Sequence, residues 1–194
     1  MIGRNIDTEI ISIFAENITE FLSILQIAKK LNKPYSYIHK KINEFLKLEI
    51  LKKIVLGRAH LCTINLQSED AVLLLSMYEL EKKKSLLKKN NSLEKKMASL
   101  NKIKTEALML TAIYHENKIL ILTNNQPDKK KLHNKIKKLL GNFEVFTKEE
   151  FQQELIKKPT LLYNHTLLYQ YEKYYEIVGE IEQELKIRNS LLIT

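Results

Sequence analysis

Apolar positions along the first half of the chain recur mostly at helical spacing. Ile10, Ile11 and Phe14 mark a first helix that Asp7 is placed to cap. The stretch "NITEFLS" interrupts it. Ile24, Ile27, Ala28 and Leu31 then fall at i, i+3, i+4 and i+7, one face of a second helix. "NKP" ends that helix. A third carries Ile38, Ile42, Phe45 and Leu46 as its apolar stripe, with Pro34 at its start, where a missing N–H costs least. From 50 to 66 the pattern changes. "ILKKIVLGRAHLCTINL" predicts two strands around a tight turn at Gly57, with Ile54, Leu56, Leu61 and Ile64 as strand positions.

Ser68 is placed to cap a long helical stretch, with Glu69 and Asp70 at its positive end. From 82 to 104 that stretch holds nine Lys and one Glu. Leu86, Leu93 and Leu100 stand seven apart, with Asn90 and Met97 at the alternate heptad position. Three readings fit: a coiled coil, dimeric or within the chain; a single solvated linker helix; or a flexible linker. After about 105, "ALMLTAIYH", "NKILILTNN" and "FEVFT" read as strands. "DKKKLHNKIKKLLG" reads as an amphipathic helix stopping at Gly141, with Asp128 as its cap. "KEEFQQELIKK" reads as a helix capped by Thr147 with Glu150 three residues on. The closing segment from Pro159 reads as helix. Strands alternating with helices predict an α/β layered domain over 106–194.

Helix, helix, short turn, helix and hairpin within the first 67 residues form the layout of a winged helix-turn-helix. "IAKKLNKPYSYIHKKINEFLKLEILKKIVLGRAHLCTINL" resembles the winged-helix module of archaeal transcriptional regulators. The resemblance implies a recognition helix over 35–48 and a wing over 51–66, with a Gly-Arg turn at its tip. On a helical wheel Ser36, Lys40, Asn43 and Lys47 lie opposite the apolar stripe, flanked by Tyr37, His39 and Lys41. Lysine suits phosphate or guanine, asparagine suits adenine, and serine and tyrosine suit phosphates. Lys52, Lys53, Arg58 and His60 load the wing, with Arg58 placed for a minor groove.

The residues around "ILILTNN" and "GNFEVFTKEEFQQELIKKPTLLYNHTLLYQYEKYYEIV" resemble the latter part of a minimal nucleotidyltransferase domain of the polymerase-beta superfamily, in its archaeal form. The resemblance implies that fold. Activity in such a domain requires a Gly-Ser turn for the phosphates, an Asp-x-Asp pair and a third carboxylate for two Mg²⁺. The chain has no Gly-Ser dipeptide and only three aspartates, Asp7, Asp70 and Asp128. "ENKILIL" puts Glu116 and Lys118 where the paired aspartates would fall. The expectation is a catalytically inactive domain with no catalytic residue, metal or cofactor.

Charge and composition sharpen this picture. The net charge is +9, with 19 Lys+Arg against 11 Asp+Glu over residues 1–105 and 13 against 12 over 106–194. A basic first half suggests a polyanionic partner. One cysteine, Cys62, excludes an internal disulfide, and its strand setting suggests a buried hydrophobe. The histidines at 39, 60, 115, 133 and 165 share no metal-ligand spacing. No apolar run is long enough for a membrane span, and the N-terminus lacks the apolar core of a signal peptide.

The resulting expectation is α/β overall: a winged helix over 1–67, a basic helical connector over 68–105 and a nucleotidyltransferase-like domain over 106–194. It describes a double-stranded DNA-binding protein, a transcription regulator or a chromatin-associated one, cytoplasmic and nucleoid-associated. The C-terminal domain would serve dimerisation, partner contact or binding of a small-molecule effector. A homodimer would form chiefly through the tyrosine-rich segment, with Tyr163, Tyr169, Tyr171, Tyr174 and Tyr175. The seam of Leu86, Leu93, Met97 and Leu100 would be secondary. The alternatives are a nucleotide-dependent enzyme or nucleotide sensor, and a protein-interaction scaffold.

Overall fold

Three short helices open the chain, each made by its own local signals. The computed structural model describes residues 5–104, 109–138 and 140–191. Helix α1 spans Ile6–Glu16 and buries Ile6, Ile10, Ile13 and Phe14 at helical spacing. Its N-cap position is Asn5; Asp7, expected as the cap, lies inside the first turn, where its charge still meets the helix dipole favourably. Helix α2 spans Ile24–Leu31 behind a Ser23/Gln26 capping box and ends on Asn32 in the left-handed region. Helix α3 spans Tyr35–Lys47, begins directly after Pro34, and buries Ile38, Ile42 and Phe45.

Strands β1 (Leu51–Leu56) and β2 (Ala59–Ile64) form an antiparallel hairpin closed by Gly57 and Arg58. Gly57 takes φ +59°, the region a side chain disfavours. The hairpin is tied down at its base. Leu22 and Cys62 exchange backbone hydrogen bonds of 3.0 and 2.7 Å, forming an isolated bridge between the α1–α2 connection and β2. The buried Asn65 side chain donates to the Glu49 carbonyl at 2.7 Å, fixing the chain where α3 ends.

Helix α4 spans Glu69–Lys89, and α5 spans Asn91–Lys104. The long helical stretch read over 68–105 is broken at Asn90. Its side-chain oxygen accepts from the Leu93 N–H at 3.0 Å, so Asn90 caps α5 rather than sitting in a heptad seam.

Strands β3 (Met109–His115) and β4 (Lys118–Thr123) make a hairpin whose two turn residues, Glu116 and Asn117, have φ of 45° and 63°. Helix α6 (Gln126–Ile136) carries the chain to β5 (Phe143–Thr147), which pairs parallel to β4. The cap of α6 is Asn125, accepting from the Asp128 N–H at 2.9 Å; Asp128 itself sits in the first turn. Helix α7 (Lys148–Lys157) has the expected Thr147/Glu150 capping box.

A 3-10 turn over Pro159–Leu162 leads to strand β6 (Thr166–Tyr169), then α8 (Tyr171–Gly179) and α9 (Glu182–Leu191). The segment after Pro159 was expected as helix throughout. Asn164 and Gln170 at φ 54° and 53° bracket β6, which fills the open edge of β3.

Contacts divide the chain into two units. One runs to Tyr78 and resumes at Glu182; the other is Glu79–Ile181. In the first, α9 buries Leu185 and sets the Lys186 ammonium 5.4 Å from the Phe21 ring centre. In the second, the sheet order is β5-β4-β3-β6. Leu93, Met97 and Leu100 of α5 join Leu132 and Ile136 of α6 over Ala112, Ile119, Ile121, Val145 and Leu168. The other sheet face meets α7 and α8, where Phe151 lies 6.2 Å from Phe146 and 6.4 Å from Tyr174 between ring centres. The residues expected to form a separate connector past Tyr78 therefore belong to this second core. No described helix is long and apolar enough to cross a membrane.

Candidate nucleic-acid interface

Burial of Ile38, Ile42 and Phe45 against the first unit's core decides which residues α3 presents outward. Ser36, Tyr37, His39, Lys40 and Lys47 are exposed, and Asn43 is half-buried. His39 and Asn43 stand one turn apart with their side-chain nitrogens 3.2 Å apart. Tyr35, one turn before His39, stacks at 5.6 Å between ring centres and is 50% exposed.

The hairpin brings its own cations alongside. Lys53 pairs with Cys62 and Val55 with His60 in register, so these four side chains share one face. Toward the hairpin base that face is buried at Leu51, Cys62 and Ile64; toward the tip Lys53, Val55 and His60 are exposed. A cleft of about 290 Å³ results, lined by Ser23 and Leu25 of the α2 start, Tyr35, His39 and Asn43 of α3, and Lys53 and His60 of the hairpin. Cys62 is at its floor. Burial pushes its thiol up, against a smaller opposing effect of Lys53, which makes it a poor nucleophile. Arg58 is exposed at the hairpin turn.

Among the described residues, Lys40, Lys47, Lys53 and Arg58 form no ion pair. Lys41 does. Its ammonium lies 3.1 Å from Glu44 and 3.2 Å from Asp7, and these two carboxylates hold its pKa above the ordinary lysine value. It serves as a tie between α1 and α3, not as an open phosphate contact. Lys52 also departs from expectation. It pairs with the buried Thr63 on the opposite hairpin face from Lys53, close enough to Lys186 of α9 for repulsion to be felt there. Strand alternation separates two lysines that are adjacent in sequence.

The charge asymmetry also resolves differently. Residues 1–78 hold ten Lys+Arg against eight Asp+Glu, whereas residues 79–105 hold nine against three. Most of the first half's positive excess thus lies in the second unit.

Sequence reasoning missed Tyr35, Leu25 and Ser23 as parts of the cleft. The spacing of Tyr35 and His39 was a usable signal; the approach of the α2 start to the hairpin follows from the Leu22–Cys62 bridge and had none.

The residues expected to dimerise are turned inward. Leu93, Met97 and Leu100 are 2%, 5% and 1% exposed, Leu86 packs partly buried on the same cluster, and Tyr174 is fully buried. Tyr169 is half-buried on that core, with its hydroxyl accepting from the Gln170 amide at 3.0 Å. An α-helical seam and an apolar layer over a sheet use the same seven-residue spacing, and here the sheet takes it.

The second unit has a cleft of about 370 Å³ lined by His115, Glu116, Lys118, Glu144, Glu154 and Lys158. Its lysines are both engaged: Lys118 with Glu144 at 2.7 Å and Lys158 with Glu154 at 2.8 Å. Among the described residues no group of three or more His, Cys, Asp or Glu gathers as metal ligands. Compared with protein-family models, curated proteins and solved structures, the chain matches none.

Proposed function

We propose that the chain is a double-stranded DNA-binding protein, acting as a transcription regulator or as a chromatin-associated protein. In this reading the first unit is a winged helix-turn-helix, α3 is the recognition helix and the β1–β2 hairpin is the wing. The observation that carries it is the shared cleft, where His39 and Asn43 of α3 meet Lys53 and His60 of the hairpin. Lys40 and Lys47 stand on the exposed row of α3 beside it, and Arg58 at the hairpin tip. This is a polar, cationic edge of the kind that reads a groove while flanking lysines hold phosphates.

The reading of the second unit as a nucleotidyltransferase-like domain without activity stays part of the proposal. Glu116 occupies the β3–β4 turn and Lys118 is engaged by Glu144, an arrangement that does not favour a two-metal site. Nor does the carboxylate-rich cleft near it, with Glu116, Glu144 and Glu154, favour a nucleoside triphosphate.

The test is a salt titration of duplex binding. Affinity is expected to fall linearly in log salt, at about 0.9 per neutralised phosphate. Changing Lys40, Asn43 and Arg58 together to Ala is expected to weaken binding at least about tenfold, about 1.4 kcal/mol. Lys41→Ala is expected to leave the salt slope unchanged. An unaltered affinity in the triple variant would remove α3 and the hairpin as the DNA face.

A further inference from the structure

The second unit sorts its lysines into two kinds. Lys118, Lys129, Lys148, Lys158 and Lys173 are each engaged by a glutamate. Other lysines stay unengaged. Lys84, Lys88 and Lys89 of α4 and Lys157 of α7 are exposed without an ion pair among the described residues, and more of them gather on the outer faces of α5, which also exposes Glu94, and α6. Lys95, Lys130, Lys131, Lys137 and Lys138 are exposed and, among the described residues, form no ion pair.

Burial explains why these lysines share one side. Leu93, Met97 and Leu100 of α5 and Leu132, Ile136 and Leu140 of the α6 region cover the same sheet face, and the two helices touch. Their opposite surfaces therefore point the same way. On α6 and the turn after it, that surface is Lys130, Lys131, Asn134, Lys137 and Lys138, without a carboxylate; Asp128 is confined to the first turn. Two pairs of lysines seven residues apart lie about 10 Å apart along the axis. Unpaired like charges this close cost helix stability and raise the local positive potential.

We propose that the outer face of α5 and α6 is a second DNA-contact surface, which holds the phosphate backbone of a duplex without reading bases. The occupant follows from chemistry. Lysines give charge but little base discrimination, and Asn134, set among four of them, has no arginine on α5 or α6 to complete a base-reading pair. Among the described residues of α5 and α6 no large apolar, Phe, Tyr or Trp side chain is exposed, and the one exposed aromatic ring, His133, is already packed 5.3 Å from Phe143 between ring centres. That leaves nothing to stack single-stranded bases or to enter a lipid surface. A duplex offers about one charge per 1.7 Å of axis, so a face of this length meets several phosphates at once. The proposal rests on the chain being a DNA-binding protein but not on α3 being its reading head.

The experiment uses the full chain and two duplexes of equal length and unrelated sequence. In one variant Lys130, Lys131, Lys137 and Lys138 become Gln; in two others only Lys130 and Lys131, or only Lys137 and Lys138, do. All four sites are exposed, so circular dichroism is expected to match the parent and the thermal midpoint to equal it or rise slightly as like-charge repulsion is removed. The slope of log affinity against log salt is expected to drop by about 3.6 in the quadruple variant and by about 1.8 in each double variant. The drop is expected to be equal on both duplexes. An unchanged slope overturns the proposal whatever the triple variant of α3 and the hairpin does. A lowered slope with an unaltered triple variant keeps this surface and discards the other. A sequence-dependent drop would overturn the claim that bases are not read. Vesicles of about 30% phosphatidylserine in phosphatidylcholine complete the set. Tighter binding to them than to duplex at equal salt, lost in the quadruple variant, would replace DNA by a membrane surface.

Discussion

Lys40 and Lys41 are neighbours in sequence with different surroundings, because the step of about 100° between adjacent helical residues sends Lys40 to solvent and Lys41 between Asp7 and Glu44. His165 shows the same dependence on position more sharply. It is buried beside Tyr174, with ring centres 5.2 Å apart, and burial, followed by the nearby Lys82 charge, pushes its pKa from 6.5 down to about 3. A depressed folded value means that the neutral ring stabilises the fold. That contribution is fully present above pH 6.5 and is lost as pH falls toward 3. The loss by pH 5 amounts to about 2 kcal/mol. Glu79, also buried, accepts from the Leu167 N–H at 2.9 Å, and desolvation raises its pKa, so its contribution runs the other way and grows on acidification. His165→Phe isolates the first effect. Urea unfolding of the parent and the variant is expected to diverge from pH 7.5 to 5, the variant gaining relative stability. A pH-independent difference would show that His165 does not titrate on unfolding in this range.

Several helices in this chain begin where a side chain captures the first N–H groups, whereas α1, α3 and α8 begin without one. Ser23, Thr147, Asn125 and Asn90 all make this capture, and all but Asn90 stand in or next to a recognisable sequence signal. Asn90 occupies a heptad position, and its two readings predict opposite outcomes. As a cap, its replacement by Ala or Leu is expected to cost about 1 kcal/mol in chemical unfolding. As a buried polar residue of a dimer seam, its replacement by Leu would raise stability and favour association. Unfolding of Asn90→Leu together with its mass by light scattering separates them, and the capped helix predicts lower stability at unchanged mass.

The second unit closes its core with residues whose spacing also suits a coiled coil. If Leu100 packs on the sheet, Leu100→Ala is expected to lose about 2–5 kcal/mol through the cavity it leaves. The loss is expected in near-ultraviolet circular dichroism of the tyrosines of that unit, with the molecular mass unchanged. A fall from dimer to monomer at unchanged unfolding midpoint would return Leu100 to an intermolecular seam.

The sequence by itself determined elements whose signals are local. The order of three helices and a hairpin, the Gly57 turn, the start of α3 after Pro34 and the Thr147/Glu150 cap follow from spacing and from a few residues with strong backbone preferences. The exposed row of Ser36, Lys40 and Lys47 was equally legible, because helical periodicity places it once the apolar stripe is known. Only the tertiary structure decided what each apolar surface meets and which cations stay unpaired. Leu93, Met97 and Leu100 repeat every three or four residues whether a helix or a sheet covers them. Thr166–Tyr169 becomes β6 because β3 has an open edge of backbone groups to satisfy, a demand raised by residues more than fifty positions earlier. Lys41 and Lys118 lose their availability to carboxylates far away in sequence, Asp7 and Glu144. Local patterns fix dihedral preferences and faces. Partners across the fold are set by burial and by the pairing of backbone groups and charges, and no window of sequence contains them.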